Sequence, residues 1–184
     1  MSYDLTVHLK CLNDSIIPKW LAEITKFNMD IDVHPDFSFS NHSGFLPFRF
    51  VVYDCPNITL NNNELMSGYE LYVSPYQWRN EKKSIFSKLF RKQKEVSEIE
   101  SKLIDADTEV TFNISAQDSF EYRLGWYSAA SLAKVCNGVL TDLQEGVHLD
   151  GEQAIKHAYV KVIEDEKLLI GSEWKIHKSK DWLG

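Results

Sequence analysis

Long apolar runs are missing from this chain: no stretch approaches the roughly 20 residues that a membrane-spanning helix needs. The opening residues MSYDLTVHLKCLND carry Asp4 and lack the apolar core of an export signal, so the expected home is the cytoplasm. Paired cysteines are missing too. Cys11, Cys55 and Cys136 are odd in number, far apart and outside any CxxC spacing, which fits free thiols in a reducing compartment. The eight glycines are scattered. Gly146-Val-His-Leu-Asp-Gly151 has no following Lys-Ser, so the sequence holds no phosphate cradle, and neither a nucleotide nor any other cofactor is expected. Basic charge is also in deficit. A net charge of −7 and a pI near 5.4 argue against affinity for nucleic acid, which draws on clustered Lys and Arg, and favour a cationic partner.

What remains is enough for one core. With 184 residues, 43% of them hydrophobic and 12% aromatic, the chain reads as a single domain over 1–184. Leu5, Val7, Leu9 and Cys11 alternate with polar neighbours and predict a strand with one buried face. Asn13-Asp14-Ser15 supplies caps and Pro18 fits a first turn, so Ile17, Trp20, Leu21, Ile24 and Phe27 predict a helix near 15–27. Strands are expected around Ile31–Val33, Phe45–Tyr53 and Gly68–Ser74, the last antiparallel to its predecessor across turn-forming Asp54-Cys-Pro-Asn57 and Asn61-Asn-Asn63. Val110, Phe112 and Ile114 alternate as a further strand. Ser119 is the expected cap of a helix running through Leu124, Tyr127, Ala130 and Val135, ended by Gly138 in the left-handed conformation. Val139-Leu140 reads as a brief edge strand before a turn at 142–146, and Ala154, Ile155, Ala158, Tyr159 and Val162 form the stripe of a third helix. The pattern predicts an α+β fold: an antiparallel sheet of five or six strands with helices packed mainly on one face.

Residues 79–94 differ from everything around them. Arg79, Lys82, Lys83, Lys88, Arg91, Lys92 and Lys94 against Glu81 give this segment +6, which leaves −13 on the rest of the chain. Ile85, Phe86, Leu89 and Phe90 recur along one side of a helix. A basic helical insertion over 79–107, between two strands, is expected. Its apolar side suits packing on the domain, a partner or an anionic membrane surface.

Chemistry-bearing constellations are sparse. Asp30, Asp32, His34 and Asp36 stand at period 2, about 7 Å between same-face neighbours, and would form a row able to meet a divalent cation if the strand continued through Pro35; Pro35 makes that pairing doubtful. Asp142, Gln144, Glu145 and His148 are the densest polar group of a predicted loop and could supply a general acid and base. Convergence of either group into a ligand set or catalytic site is not expected. No Ser or Cys has the surroundings of a nucleophile, so no catalytic residue and no metal ligand is assigned.

Three stretches carry a resemblance: Ser43-Gly-Phe-Leu-Pro47, Ser67-Gly-Tyr-Glu-Leu71 and Ala129 to Gly146. A helix ending in Gly, an apolar pair, Asp and then Gln-x-Gly is similar to a pattern in small bacterial immunity proteins encoded beside secreted toxins. It covers about a third of the chain. Where the related pattern has Asp-Pro-Gln, this chain has Asp142-Leu143-Gln144. The resemblance implies a cytoplasmic antidote with no reaction of its own, which binds and occludes a cognate toxin protein. The alternatives are a metal-dependent or hydrolytic enzyme and a peripheral membrane adaptor acting through 79–94. For the binding reading, the expected contact residues are Tyr72, Tyr76, Trp78, Asp142, Gln144 and Glu145; oligomeric state stays open.

Overall fold

The computed structural model describes residues 2–78, 97–115 and 117–176. The fold is α+β, with seven strands in one sheet and four α-helices among the described residues. The strands are β1 (Tyr3–Leu9), β2 (Met29–Val33), β3 (Ser43–Val52), β4 (Glu64–Pro75), β5 (Thr108–Ile114), β6 (Val139–Asp142) and β7 (Val147–Asp150). Helices α1 (Ile17–Ile24), α2 (Glu98–Asp105), α3 (Glu121–Val135) and α4 (Gly151–Leu168) connect or follow them. Every strand pair is antiparallel, in the order β2-β3-β4-β5-β1-β6-β7. The first strand of the chain therefore sits inside the sheet.

Side-chain alternation decides the two faces. Leu5 and Val7 of β1 stand level with Phe112 and Val110 of β5, and these in turn with Leu71 and Val73 of β4. Leu46, Phe48 and Phe50 of β3 continue the same apolar face towards Ile31 of β2. Most of these side chains are wholly inaccessible, and complete burial of each contributes about 1.5–3 kcal/mol. Helix α3 lies on this face against β1, β4, β5 and β6, flanked by α1 and α4.

Small residues let α3 approach so closely. A Cβ on Gly125 would fall 2.4 Å from Ile114 Cδ1, and one on Gly151 would fall 2.4 Å from Lys134 Cα. Ala129, Ala130 and Ala133 of α3 and Ala154 and Ala158 of α4 are buried as well. Trp20 of α1 donates its indole N–H to the Ser128 carbonyl at 2.9 Å, and Phe27 stacks on Tyr127 with centroids 3.8 Å apart. In this layer, Arg123 is locked in an ion cluster in which Arg123 and Glu166 are buried and Asp54 is exposed. Its Nε and Nη2 donate to the two oxygens of Glu166 at 2.6 and 3.0 Å, and its Nη1 donates to Asp54 at 2.9 Å.

The expected helix near 15–27 is present as a short 3-10 turn capped by Asn13, then α1 with Pro18 in its first turn, then a second 3-10 turn. Several expectations need correction. The sheet has seven strands rather than five or six, because Val147–Asp150 form a strand that has too few residues to show alternation. Val139-Leu140 belong to β6, which pairs with β1 on one side and β7 on the other, so the edge is β7. Asn137, with φ of 52°, takes the left-handed position assigned to Gly138. Gly138 serves close approach instead, since a Cβ there would lie 2.4 Å from Leu9 Cδ2 and 2.6 Å from the His8 carbonyl oxygen. The start of α3 is held by Asp118, whose Oδ1 accepts from the backbone N–H of Phe120 and Glu121, while Ser119 Oγ accepts from Lys175 N. The helix expected over 79–94, with Ile85, Phe86, Leu89 and Phe90, lies outside the described residues. Within 97–107 the chain forms α2, capped by Ser97 and in contact with β1, β6 and β7.

Candidate functional site

Opposite the helix layer, the other set of alternating side chains is polar and acidic. Strand register arranges it in rows. One row runs Phe45, Glu70, Asn113, Asp4 across β3, β4, β5 and β1; the next runs Tyr72, Thr111, Thr6, Thr141, His148 across β4, β5, β1, β6 and β7. A third places Ser74, Glu109 and His8 in line. Towards the β2 edge, Asp30 and Glu64 flank Val51, and Asp32 stands opposite Arg49. The face thus gathers Asp4, Asp30, Asp32, Glu64, Glu70 and Glu109, with Arg49 opposite Asp32, and Asp30, Asp32, Glu64 and Glu70 are exposed.

Local hydrogen bonds hold these carboxylates in place. Tyr72 donates its hydroxyl to Glu70 Oε2 at 3.0 Å, Asn113 donates to Asp4 Oδ1 at 2.6 Å, and Ser74 donates to Glu109 Oε1 at 3.0 Å. Tyr53 donates its hydroxyl to Asp30. Accepting carboxylates raise the pKa of both phenols above the ordinary range, so Tyr53 and Tyr72 stay neutral donors. Phe45 and Tyr72 are each 39% exposed, giving the face two aromatic contacts amid its charge. At its α2 end, His8 packs its ring 4.3 Å from that of Tyr76. Burial, together with the charge of His148, lowers the His8 pKa to about 4.

The candidate contact residues fall into two groups. Tyr72 is on the acidic face, Tyr76 covers His8 beside it, and Trp78 is half-buried a little further on. Asp142, Gln144 and Glu145 sit at the opposite end of β1 and on the helix side, because Asp142 stands level with Leu5. Asp142 is 0% exposed. Its Oδ1 accepts from Gln144 N and Glu145 N at 2.9 and 3.2 Å, and its Oδ2 accepts from the Tyr3 hydroxyl at 2.6 Å. Gln144 Nε2 donates to the Ser2 carbonyl at 3.1 Å. The six residues therefore do not form one patch.

Around Asp142 a second cluster closes. Glu145 pairs with Lys161 of α4 through one oxygen, while its other oxygen lies 3.4 Å from His157 Nε2. His157 rests on Trp126, and Tyr3 packs edge-on to Tyr122. Asp142, Glu145 and His157 offer ligand atoms all within 4.8 Å of one another, the one such group of three among the described residues. Asp142 and Glu145 thus converge with His157, whose helical position gave no signal beside them; His148 instead bonds Thr141 Oγ1 across the opposite face at 2.9 Å. The Asp30 row does not gather. Strand β2 ends at Val33, and His34 Nδ1 turns back to accept from Asp36 N at 3.2 Å. Burial pushes the Cys55 thiol up and that of Cys136 up to about 11, so neither is a thiolate at neutral pH.

No protein-family model, curated protein or solved structure matches this chain. Among the described residues, no helix is long and apolar enough to cross a membrane.

Proposed function

We propose that this chain is a binding protein, an immunity-type inhibitor that occludes a cationic toxin with the acidic face of its sheet. The observation that carries this reading is the exposed set Asp30, Asp32, Glu64 and Glu70 beside Phe45 and Tyr72. These four carboxylates outnumber the cation among them, Arg49 opposite Asp32. A cationic surface complements that excess and is steered towards the face before contact. Exposed aromatics add contact area with few rotors to immobilise, and such side chains dominate the binding energy of tight interfaces.

The contact set proposed is centred on Tyr72, Phe45, Glu70, Asp30 and Asp32, with Tyr76 and Trp78 at its margin. Asp142, with its oxygens turned inward to Tyr3 and the 142–145 turn, acts as a structural organiser of its corner. Occlusion requires stoichiometry. Co-expression with a secreted-toxin candidate encoded beside this chain should protect cells at about one inhibitor per toxin, and co-purification should give a complex whose association slows as salt rises. Protection at catalytic amounts with no complex at micromolar concentration contradicts occlusion and favours an enzyme acting on the toxin's target.

A further inference from the structure

We propose that Asp142, Glu145 and His157 form a binding site for one divalent transition cation, with zinc the reference ion. The site is built from three places in the chain: the end of β6, the following turn and the middle of α4. Its donor atoms lie within 4.8 Å of one another, whereas a zinc ion with bonds near 2.0–2.2 Å holds neighbouring ligands roughly 3–3.5 Å apart. Glu145 Oε2 and His157 Nε2 already stand 3.4 Å apart, within that range, and Glu145 is exposed on its turn.

Two features prepare the other ligands. Asp142 is immobile, because it is fully buried and its oxygens already accept from Tyr3 and from two backbone N–H groups. Each carboxylate oxygen has two lone pairs; the two N–H groups take both on Oδ1, while Oδ2 accepts from Tyr3 alone and keeps one for a cation, and donors of this kind orient and tune metal-bound carboxylates. His157 Nε2 is shielded from solvent and makes no hydrogen bond among the described residues, although Glu145 Oε2 is only 3.4 Å away. A shielded ring nitrogen that makes no hydrogen bond can be satisfied by a metal ion aligned with its lone pair. The Lys161 ammonium already supplies positive charge to Glu145, and a dication would displace it.

The donor set selects the ion. One imidazole with two carboxylates favours a borderline cation over calcium or magnesium, which take oxygen ligands. Three protein ligands leave a fourth position for water. The site lies on the helix side of the sheet and does not rest on the toxin-binding reading.

Calorimetric titration of the full, chelator-treated chain with zinc chloride tests it. The expected result is one zinc per chain, with affinity falling about tenfold or more in His157→Ala and in Glu145→Gln, and about tenfold in Tyr3→Phe through its hold on Asp142. Lys161→Gln should bind zinc more tightly, since the competing ammonium is gone. Near-UV circular dichroism identifies any variant that has lost its fold, and Glu145→Gln, on an exposed turn, keeps the test independent of packing. No zinc uptake, or uptake that neither His157→Ala nor Glu145→Gln weakens, overturns the proposal.

Discussion

The two faces of the sheet solve opposite problems with charge. On the helix side, Arg123 and Glu166 are brought together inside the protein, with Asp54 at the surface, and each donor is matched to an acceptor at 2.6–3.0 Å. On the open side, Asp30, Asp32, Glu64 and Glu70 stand in water, with tyrosine hydroxyl partners for Asp30 and Glu70 and Arg49 opposite Asp32. Charge on the first face is a condition of folding. Charge on the second is available to a partner, because water already solvates it.

The sharpest way to break this contrast is to remove the buried cation. Arg123→Ala leaves the buried Glu166 carboxylate without its partner and should cost about 3–5 kcal/mol in urea unfolding. An Arg123→Met/Glu166→Leu double variant should recover much of that loss, since well-packed apolar groups often replace a buried pair at little net cost. Next in size is the close approach behind β1: Gly138→Ala forces a Cβ against the His8 carbonyl and should cost roughly 1–3 kcal/mol.

His8 sharpens the boundary, as it belongs to the open face but is buried beneath Tyr76. Its neutral form is favoured in the folded state, with a pKa of about 4 against 6.5 for the free side chain. The unfolded chain therefore binds the extra proton between those values, and stability falls as pH drops through that window, by roughly 1–3 kcal/mol in all. His8→Gln should flatten this part of the pH–stability curve. Smallest is the expected effect on the open face itself. Asp32→Asn or Glu70→Gln should change stability by no more than about 0.5 kcal/mol, because both side chains are exposed.

Sequence patterning made the faces legible where elements were long enough to repeat. The alternation of Leu5, Val7 and Leu9 and the stripe through Ile17, Trp20, Leu21 and Ile24 correspond to β1 and α1. β7 was not legible, because a strand of four residues running straight into the Asp150 capping box has no room to establish a period. The left-handed residue was misplaced for a related reason: Asn137 and Gly138 both suit that conformation, and only the packing of Leu9 shows that glycine is needed for space. At the site level, the polarity of 142–148 was visible, but its splitting between two faces follows from sheet pairing. His157 was hidden because it lies inside α4, the helix that directly follows β7, and only the packing of that helix back onto β6 and β7 brings it to Asp142 and Glu145. Arg123, Asp54 and Glu166 were invisible for the same reason, being separated by 69 and 43 residues.

The most direct test of the central claim measures association and stability on the same variant. With Asp30→Asn, Asp32→Asn, Glu64→Gln and Glu70→Gln combined, thermal unfolding should stay close to that of the wild type. Stopped-flow association with a purified cationic toxin partner should slow by about tenfold or more at low ionic strength and converge with the wild-type rate as salt is raised. Unchanged association at low salt, or a loss of stability as large as that of Arg123→Ala, contradicts the division of labour between the two faces.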